Sequence, residues 1–286
     1  MHSEQLRTLA AIVDHGSFEA AAAVLHVTPS AVSQRMKALE ASVGQVLLRR
    51  GTPCSPTDAG AVLVRTARQV ALLEADALVE LGERTGAAVL PVVVNADSLD
   101  TWFPAIFSVA ATWDDTTLRI EVEDQDHSRE LLRRGDVLAA VTSDRTPVAG
   151  CTTLSLGAMR YIPAAAPDLL SRHGGAWAEL PVVRFNPKDD LQHQFRREQG
   201  LTEPAAVVQV PSPGAFVAAV RAGLGWGLIP EPLLGESLER GELVPVGGRA
   251  VDLQLYWQSW KLPSARIARL TAAVRDAARL GLRPPH

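Results

Sequence analysis

One segment constrains the fold of this chain more than any other part of it. It begins at Gly16 and reads GSFEAAAAVLHVTPSAVSQRMKALEASVGQVLLRRGTPCSPTDAG. Ser17 and Thr28 stand where a side-chain oxygen caps a helix, and Pro29 takes the first position of the second helix, where its missing N–H costs nothing. Gly44 ends that helix. The pattern predicts two short helices at a sharp angle, a basic hairpin and a long helix, the order of elements in a winged helix-turn-helix.

The second of these helices, predicted over residues 29–42, has two different faces. Val32, Met36 and Leu39 recur at the spacing of a buried face. The outward side chains are Ser30, Ser33, Gln34 and Lys37. Such short hydroxyl, amide and amine groups near a helix N-terminus suit contacts with base edges and phosphates in the major groove. In an isolated helix these residues are more often simply exposed, but the helix-turn-helix context favours contact with DNA.

A local basic patch accompanies this helix, although the chain carries a formal net charge of −4 at pH 7. Between residues 35 and 50 the charged side chains are Arg35, Lys37, Arg49 and Arg50 against Glu40, a net charge of +3. Residues 46–48 are predicted to form a strand and residues 49–52 the turn of the wing. Arg49 and Arg50 could then reach phosphates or a narrow minor groove.

A second long pattern begins at Thr57. The sequence TDAGAVLVRTARQVALLEADALVELGER predicts one helix to about residue 83, about 40 Å long at 1.5 Å per residue. Its apolar stripe consists of Leu63, Ala67, Val70, Leu73, Ala77 and Leu81. The stripe is too long for the small N-terminal domain to cover, which favours pairing with a second copy of the chain. Packing against the chain's own second domain is the alternative.

From about residue 87 onward, predicted strands alternate with predicted helices. The strands are expected over 89–95, 118–122, 138–142, 182–185, 207–210, 224–229 and 252–257, and helices over 97–106, 128–134 and 264–280. This alternation favours parallel sheets that bind a ligand at the carboxyl ends of their strands. Asp97 and Ser98 are expected to cap the first of these helices, whose N-terminus, helped by Thr101, would hold a carboxylate.

Several classes of protein are disfavoured by bulk properties. The length of 286 residues suggests about two domains. No apolar run approaches the about 20 residues that span a bilayer, and the N-terminus does not resemble a signal peptide, so we expect a cytoplasmic protein with no membrane partner. The two cysteines and seven histidines show no metal-binding or catalytic spacing, and AGLGWGLIP lacks the spacing of a nucleotide-binding loop. We therefore expect no metal, no cofactor and no catalytic residue; an enzyme or a solute carrier of the same fold is the weaker alternative.

Taken together, these motifs resemble the LysR-type transcriptional regulators. The resemblance rests on Ala21-Ala22 with Leu25, the run TPSAVS from Thr28, the pair Leu39-Glu40, Gly44, the wing Leu48–Arg50 and Thr57-x-Ala59-Gly60. The phrases HVTPSAVSQRMKALE, PCSPTDAG and VNADSLDTW are similar to the arginine- and lysine-responsive ArgP/LysG subgroup, whose members are also known as inhibitors of chromosome replication initiation. The resemblance covers essentially the whole chain.

The resemblance implies an α/β fold and a division of the chain. Residues 1–58 would form a winged helix-turn-helix, 59–86 a linker helix for dimerisation, and 87–286 a two-lobed effector domain similar to a type 2 periplasmic binding protein. Lobe I would comprise 87–162 and 265–286, and lobe II 163–264. The DNA-contacting positions that it implies are Thr28, Pro29, Ser30, Ser33, Gln34 and Lys37, with Arg49 and Arg50 in the wing.

The resemblance also implies partners. They are double-stranded DNA at a promoter, L-lysine or L-arginine as the effector, RNA polymerase, and further copies of the chain in a homodimer that assembles into a homotetramer. The regulated gene is expected to encode an exporter of a basic amino acid. The alternative is a sequence-tolerant architectural or replication-origin DNA-binding protein, which a steep salt dependence without a preferred operator would favour.

A basic amino acid needs anion-holding groups at one end and carboxylates at the other. Candidate carboxylates stand at or near predicted strand ends: Asp97, Glu123, Asp124, Asp144, Asp189 and Asp190. Candidate hydroxyl partners are Ser98, Thr101, Thr142 and Ser212, and candidate aromatic linings are Trp102 and Phe185. For any single carboxylate an exposed surface position is the alternative, and for the two aromatic residues a place in the core.

Substitution of Ser33 or Gln34 is expected to weaken operator binding by about 1–3 kcal/mol and to relax the base preference, because a lost base contact penalises the matched sequence most. Arg50→Ala should weaken binding evenly across sequences, because phosphates carry no sequence information. Fluorescence anisotropy on matched and mismatched duplexes measures both effects. Equal losses on every duplex for Gln34→Ala would contradict a base contact.

Overall fold

The computed structural model of the chain describes residues 1–83, 86–123, 125–187, 189–201, 204, 206–247 and 249–284. Within them the helices are α1 Ser3–His15, α2 Phe18–Val24, α3 Pro29–Val43, α4 Asp58–Glu80, α5 Ala96–Asp100, α6 Phe107–Ala110, α7 Gln125–Arg134, α8 Pro167–Arg172, α9 Asp190–Glu198, α10 Pro213–Arg221, α11 Glu231–Glu239 and α12 Ala265–Gly281. The strands are β1 Leu48–Arg49, β2 Ser55–Pro56, β3 Ala88–Val94, β4 Thr116–Val122, β5 Ala139–Thr142, β6 Cys151–Ala165, β7 Val182–Arg184, β8 Val207–Gln209, β9 Gly227–Pro230, β10 Val244–Pro245 and β11 Val251–Trp260. Short 3₁₀ turns lie at Phe103–Ile106 and Trp177–Glu179.

The N-terminal domain has the predicted caps and helices. The Ser17 hydroxyl accepts a hydrogen bond from the Ala20 N–H, and the Thr28 hydroxyl accepts one from the Ala31 N–H. Gly44 ends α3 in the left-handed region that glycine adopts without strain. The core of this domain is formed by buried side chains of α1, α2, α3 and the wing, among them Leu9, Ile12, Ala21, Val32, Met36, Leu39 and Leu47.

The wing differs from its prediction by about two residues. Strand β1 pairs with β2 through Leu48 opposite Pro56 and Arg49 opposite Ser55, so Arg49 lies in a strand and not in the turn. Leu47 does not join the ladder, because its N–H donates to Glu40 of α3 at 2.9 Å and its carbonyl accepts from the Thr57 N–H at 3.0 Å. These bonds attach the start of the wing to the ends of α3 and α4.

Helix α4 packs partly against its own chain through Gly60, Val64, Ala67 and Leu72, so Ala67 is the one residue of the predicted apolar stripe that is fully buried. Val64 belongs to the N-terminal core, whereas Leu72 is buried in the core of the C-terminal domain. Ala77 and Leu81, at the far end of the predicted stripe, are exposed. Self-association through that exposed part stays a prediction.

The C-terminal domain is built around a sheet in the order β10-β6-β11-β5-β3-β4, with β9 also paired to β6. Strand β3 is parallel to β4 and β5, and in a separate small sheet β7 is parallel to β8, as predicted. We call the part containing β3, β4 and β5 the first lobe and the part containing β7, β8 and β9 the second lobe. The C-terminal helix α12 folds back on the first lobe, where Gly281 abuts Trp102.

The long strands β6 and β11 connect the two lobes and are antiparallel, which corrects the expectation of purely parallel pairing. They are paired from Val251 opposite Tyr161 to Trp260 opposite Cys151. Strand β6 was not predicted at all, because its sequence CTTLSLGAMRYIPAA mixes small and polar residues without regular alternation. Strand β9 begins at Gly227, later than expected, and the preceding Gly225 lies against the Pro181 carbonyl.

The helix expected over residues 97–106 is three short pieces instead. Helix α5 ends at Asp100 and is preceded by Asn95, so neither Asp97 nor Ser98 is its cap. The Thr101 hydroxyl donates to the Asp97 carbonyl at 2.6 Å, and the chain turns there before the 3₁₀ segment and α6. A helix of five residues has only a small dipole, so the predicted carboxylate site at its N-terminus loses its main physical support.

Gly60→Ala should destabilise the N-terminal domain by at least about 2 kcal/mol despite the better helix propensity of alanine. A Cβ at this position would lie 1.9 Å from the Leu47 carbonyl oxygen, so either α4 or the wing must move. Gly235→Ala in α11 is the matched control, since a Cβ there meets nothing within 4 Å. Urea unfolding of both variants measures the difference; equal stabilities would contradict the close packing.

Candidate functional site

The expected DNA-reading residues lie on the outside of α3 and the wing. Ser30, Gln34 and Lys37 are exposed and Ser33 is half-buried, while the opposite face of α3 is buried. Arg49 and Arg50 are exposed, and in the described part of the chain neither they nor Lys37 forms an ion pair. This leaves three cations near α3 and the wing free to meet phosphates.

Two residues at the predicted DNA-facing surface, Thr28 and Arg35, already have partners within the protein. Thr28 uses its hydroxyl as the cap of α3, so its side chain orders the helix. Arg35 pairs with Glu4 of α1 at 3.1 Å, so its charge is offset and the basic patch is smaller than the sequence suggests.

A second candidate site lies where the carboxyl ends of strands from both lobes meet. Because β3, β4 and β5 are parallel and in register, the residues after them share one edge of the sheet. These residues are Asn95 to Ser98, Glu123, and Thr142 to Asp144. In the second lobe, Phe185 follows β7 and Ser212 follows β8 at the corresponding edge. Helices α5 and α10 approach each other there, so the two edges face one cleft.

The central group of the cleft is the carboxylate of Asp97. Its Oδ2 accepts a hydrogen bond of 2.7 Å from the hydroxyl of Tyr161, which is buried on the interlobe strand β6. Burial raises the pKa of Asp97 to about 6; the Tyr161 hydrogen bond opposes that rise, and the nearby charges of Asp189 and Asp100 add to it. The same burial holds the pKa of Tyr161 well above its usual range, so its hydroxyl is a donor at neutral pH.

Asp189 brings a second carboxylate to the cleft from the other lobe. It precedes α9, and its Oδ2 accepts the Phe185 N–H at 3.0 Å. Burial raises its pKa as well, against the backbone donors and the charge of Arg184. The charge of Asp189 contributes to the raised pKa of Asp97, so the two carboxylates from opposite lobes lie near each other. A cation between them would relieve the cost of ionising both.

Other polar atoms of the cleft are buried with no hydrogen-bond partner among the described residues. They include Ser98 Oγ, Asn95 Oδ1 and Arg184 Nε. Buried polar atoms in folded proteins are nearly always hydrogen-bonded, to protein, water or a ligand. Beside them, Arg184 contacts His193 Nδ1 at 3.0 Å.

The remaining predicted effector residues are placed less centrally. Asp144 pairs with Arg129, and its Oδ1 accepts the Thr146 N–H, while the Thr142 hydroxyl accepts the Asp144 N–H. Glu123 is exposed, Ser212 is exposed just before α10, and Phe185 is half-buried. Asp124 lies outside the described residues, and the side chain of Asp190 is likewise not described.

Thr101 and Trp102 have structural roles. The Thr101 hydroxyl is bound to the Asp97 carbonyl, and Trp102 takes the core position that was its alternative, with its ring edge-on to Phe103 at 5.6 Å between centroids. Tyr161, Asn95 and Arg184 were missed from the sequence. Tyr161 was missed because β6 was not predicted; as one of only two tyrosines in the chain, it offered a signal only through its rarity.

In the described part of the chain, no helix is long and apolar enough to cross a membrane. The same residues include no group of three or more His, Cys, Asp or Glu side chains arranged to hold a metal ion.

Comparison with known proteins assigns both halves of the chain. Residues 3–61 match the family model of bacterial regulatory helix-turn-helix proteins of the lysR family, and residues 89–279 match that of the LysR substrate binding domain. A relative from Corynebacterium efficiens, named lysine export transcriptional regulatory protein LysG, is 49% identical over 99% of this chain and 100% of its own length.

Two solved structures are similar over the whole chain. Full-length LysG from Corynebacterium glutamicum with bound effector Arg is 47% identical, with a TM-score of 0.85 over 99% of this chain and 100% of that one. ArgP from Mycobacterium tuberculosis is 46% identical, with a TM-score of 0.91 over 99% of this chain and 98% of that one.

The effector-free protein should lose stability as the pH rises from about 4 to about 6. A carboxyl whose pKa is raised by folding stabilises the folded state below its ordinary value of 3.8 and loses that contribution as the pH passes about 6. Asp189 acts in the same direction. Asp97→Asn should remove about 1–2 kcal/mol of this loss in the free energy of unfolding, because the amide carries no charge to bury. Thermal unfolding against pH measures it, with exposed Asp168→Asn as the control; equal slopes would contradict the burial of Asp97.

Proposed function

This chain belongs to the LysR family of bacterial DNA-binding transcriptional regulators, and from that premise we propose that it senses L-arginine or L-lysine and controls the gene of a basic amino-acid exporter. The observation that carries the proposal is the pair Asp97 and Asp189, two half-buried carboxylates that face one cleft from opposite lobes. Elsewhere in the described chain many carboxylates have an arginine partner, whereas Asp97 has a tyrosine hydroxyl.

A guanidinium or ammonium group fits this pair for electrostatic reasons. In the absence of a cation, burial raises the pKa of both carboxyls, and the charge of Asp189 adds to the rise at Asp97. A cation bound between them lowers both pKa values and makes charge-assisted hydrogen bonds, which are stronger than neutral ones. Because the carboxylates belong to different lobes, the same cation would draw the lobes together.

The opposite end of the ligand needs donors for a carboxylate. Ser98 Oγ is buried and unpartnered near Asp97 in the sequence, and Ser212 precedes the nine-residue helix α10 without spending its hydroxyl on a cap. Asn95 Oδ1 is likewise buried and unpartnered, but as an acceptor it suits the α-ammonium group of an amino acid. We assign Ser98 and Ser212 to the α-carboxylate, Asn95 to the α-ammonium group, and Asp97 with Asp189 to the side-chain cation.

The names of the relatives support this assignment. The relative from C. efficiens is named for lysine export, and the C. glutamicum protein holds arginine as its effector. A regulator is therefore favoured over an architectural or replication-origin DNA-binding protein, for which the interlobe cleft would have no role.

The proposed division of labour follows the sequence expectation. Residues 1–58 read DNA through Pro29, Ser30, Ser33 and Gln34 with Arg49 and Arg50 in the wing, 59–86 join two copies of the chain, and 87–286 bind the effector. The exposed apolar side chains near the end of α4, including Val79 and Leu81, are the surface for the second copy. Assembly to a tetramer and contact with RNA polymerase complete the proposal.

Effector binding would then act through the angle between lobes. Closing the cleft changes how two DNA-reading helices span their half-sites and how far they bend the DNA, because a ligand shifts the protein toward the state that it binds best. Bound arginine or lysine without any change in footprint or bend angle would contradict this coupling.

A thermal-shift panel of amino acids tests the effector. Arginine or lysine at about 100 times its Kd should stabilise the protein by about 2.7 kcal/mol, while glutamate and leucine should not. Asp97→Asn and Asp189→Asn should each abolish most of the shift, and Asp168→Asn, on the surface of α8, should retain it.

The affinity should also fall by up to about tenfold per pH unit below the pKa of Asp97, about 6, because the carboxyl must ionise to hold the cation. Equal stabilisation by leucine would contradict a cation-binding cleft.

A further inference from the structure

One arginine of the linker helix contacts both functional domains. Arg68 Nη1 donates to the Gly135 carbonyl at 2.8 Å and to Asp136 Oδ1 at 2.7 Å, in the turn between α7 and β5 of the first lobe. Its Nη2 donates to Asp14 in the last turn of α1. The guanidinium therefore joins the DNA-reading domain, the linker helix and the effector domain of a single chain at one point.

The surroundings make this contact specific. The Arg68 side chain is 20% exposed, so much of its charge is shielded from water. Burial alone would lower its pKa, but Asp14 and Asp136 outweigh that effect and raise it. The two carboxylates are more exposed than Arg68, at 43% for Asp14 and 30% for Asp136. Loss of Arg68 would leave two negative charges on either side of α4 without their shared partner, so the cluster favours one relative placement of the three parts.

The backbone at this junction is fitted to the linker helix. Gly135 has a φ of +75°, and a Cβ there would lie 2.7–2.9 Å from Arg65 of α4. Glycine is thus required both by the backbone conformation and by the close approach of α4. Arg65 also donates to the Arg133 carbonyl at 3.3 Å. Two arginines of α4 that lie about one helical turn apart, Arg65 and Arg68, therefore bind this part of the first lobe.

Further contacts extend the attachment along α4. Asp76, eight residues and about 12 Å beyond Arg68, pairs with Arg266 of α12, whose side chain is 2% exposed. Leu72, between them, is buried in the first-lobe core. On the other side of α4, Glu74 accepts hydrogen bonds from Ser3 at 2.7 Å and from Arg7 at 2.5 Å. Among the hydrogen bonds and ion pairs of the described residues, only those of Arg68 reach both domains from one side chain.

A straight path leads from this junction to the cleft. Asp136 is followed closely by β5, whose four residues are all buried, and β5 ends at Thr142 on the cleft edge. The six steps from residue 136 to residue 142 span at most about 20 Å when extended. A movement of the first lobe on effector binding would therefore move Asp136, and with it Arg68 and α1.

We propose that Arg68 is a positioning residue that sets the orientation of the DNA-reading domain relative to the effector domain of the same chain, and thereby the half-site spacing that a dimer accepts. The inference rests on the proposed dimer but not on the identity of the effector. Asp136 and Asp14 are the two carboxylates through which Arg68 acts.

The test compares full-length wild type with Arg68→Gln and Asp136→Asn. The probes are duplexes selected in vitro by the wild-type protein, carrying either one half-site or two half-sites whose separation changes by single base pairs. The control is Arg134→Gln, which removes the same charge from α7 but breaks only an exposed pair with Glu130 of that helix. Sedimentation checks that the variants form the same oligomer as the wild type, and circular dichroism checks that they are folded.

Single half-site binding should stay within about twofold of wild type in all variants, because the DNA-contacting residues are untouched. On paired half-sites, wild type and Arg134→Gln should prefer one spacing by about tenfold or more, whereas Arg68→Gln and Asp136→Asn should discriminate by less than about threefold.

A merely structural role would lower affinity for every probe without changing the spacing preference, and that result overturns the proposal. If Arg68→Gln does not fold, Asp136→Asn decides, since it leaves α4 intact. A monomeric wild type would overturn the dimer and this inference together, while leaving the amino-acid response in the thermal-shift panel unaffected.

Discussion

The antiparallel pairing of β6 with β11 is the constraint on which the sensing half of the molecule depends. These strands carry the chain into the second lobe and back, paired from Val251 opposite Tyr161 to Trp260 opposite Cys151. The register shifts once, where Leu255 lies opposite Gly157 and Tyr256 opposite Ser155, and the pairing continues on both sides of that irregularity. Because the ladder runs from one lobe to the other, it fixes which strand ends face each other. The pairing also places the Tyr161 hydroxyl against Asp97. Tyr161, which orients the candidate cation site, therefore belongs to the same pair of strands that must bend when the lobes move.

The distribution of ion pairs separates structural from functional charges. Asp115 lies beside Arg266 and Arg269, and despite the opposing effect of burial these partners lower its pKa. The pKa of Asp144 is lowered too, by the hydrogen bond from the Thr146 N–H and by the charge of Arg129. Asp97 and Asp189 behave oppositely, since burial there exceeds the stabilisation of their charge. Holding two buried carboxylates with raised pKa values lowers the stability of the folded protein at neutral pH. A cationic ligand that pairs with them can remove this destabilisation.

The linker helix α4 has a double role that its apolar stripe alone did not reveal. Part of it is covered by the chain itself, through Val64 on the N-terminal side and Leu72 on the effector side. Its charged residues then determine how it is placed, with Arg68 and Asp76 attached to the first lobe and Glu74 to α1. The hydrophobic contacts supply non-directional attraction, whereas the ion clusters select one arrangement, because charged groups tolerate burial only in good geometry.

The sequence by itself determined the N-terminal domain, because local signals dictate it: the caps Ser17 and Thr28, Pro29 at the start of α3, Gly44 at its end and the buried face through Val32, Met36 and Leu39. It also determined the parallel strands β3, β4 and β5 and placed Asp97 and Asp189 among the candidate cleft carboxylates. Only the tertiary structure decided that β6 exists as one long strand, that Tyr161 reaches Asp97, that Asp144 is occupied by Arg129, and that Arg68 joins three parts of the chain. Distance along the chain explains this difference. Capping and periodicity act over a few residues, whereas these contacts join side chains 15 to 68 residues apart, and their strength depends on burial that no local pattern encodes.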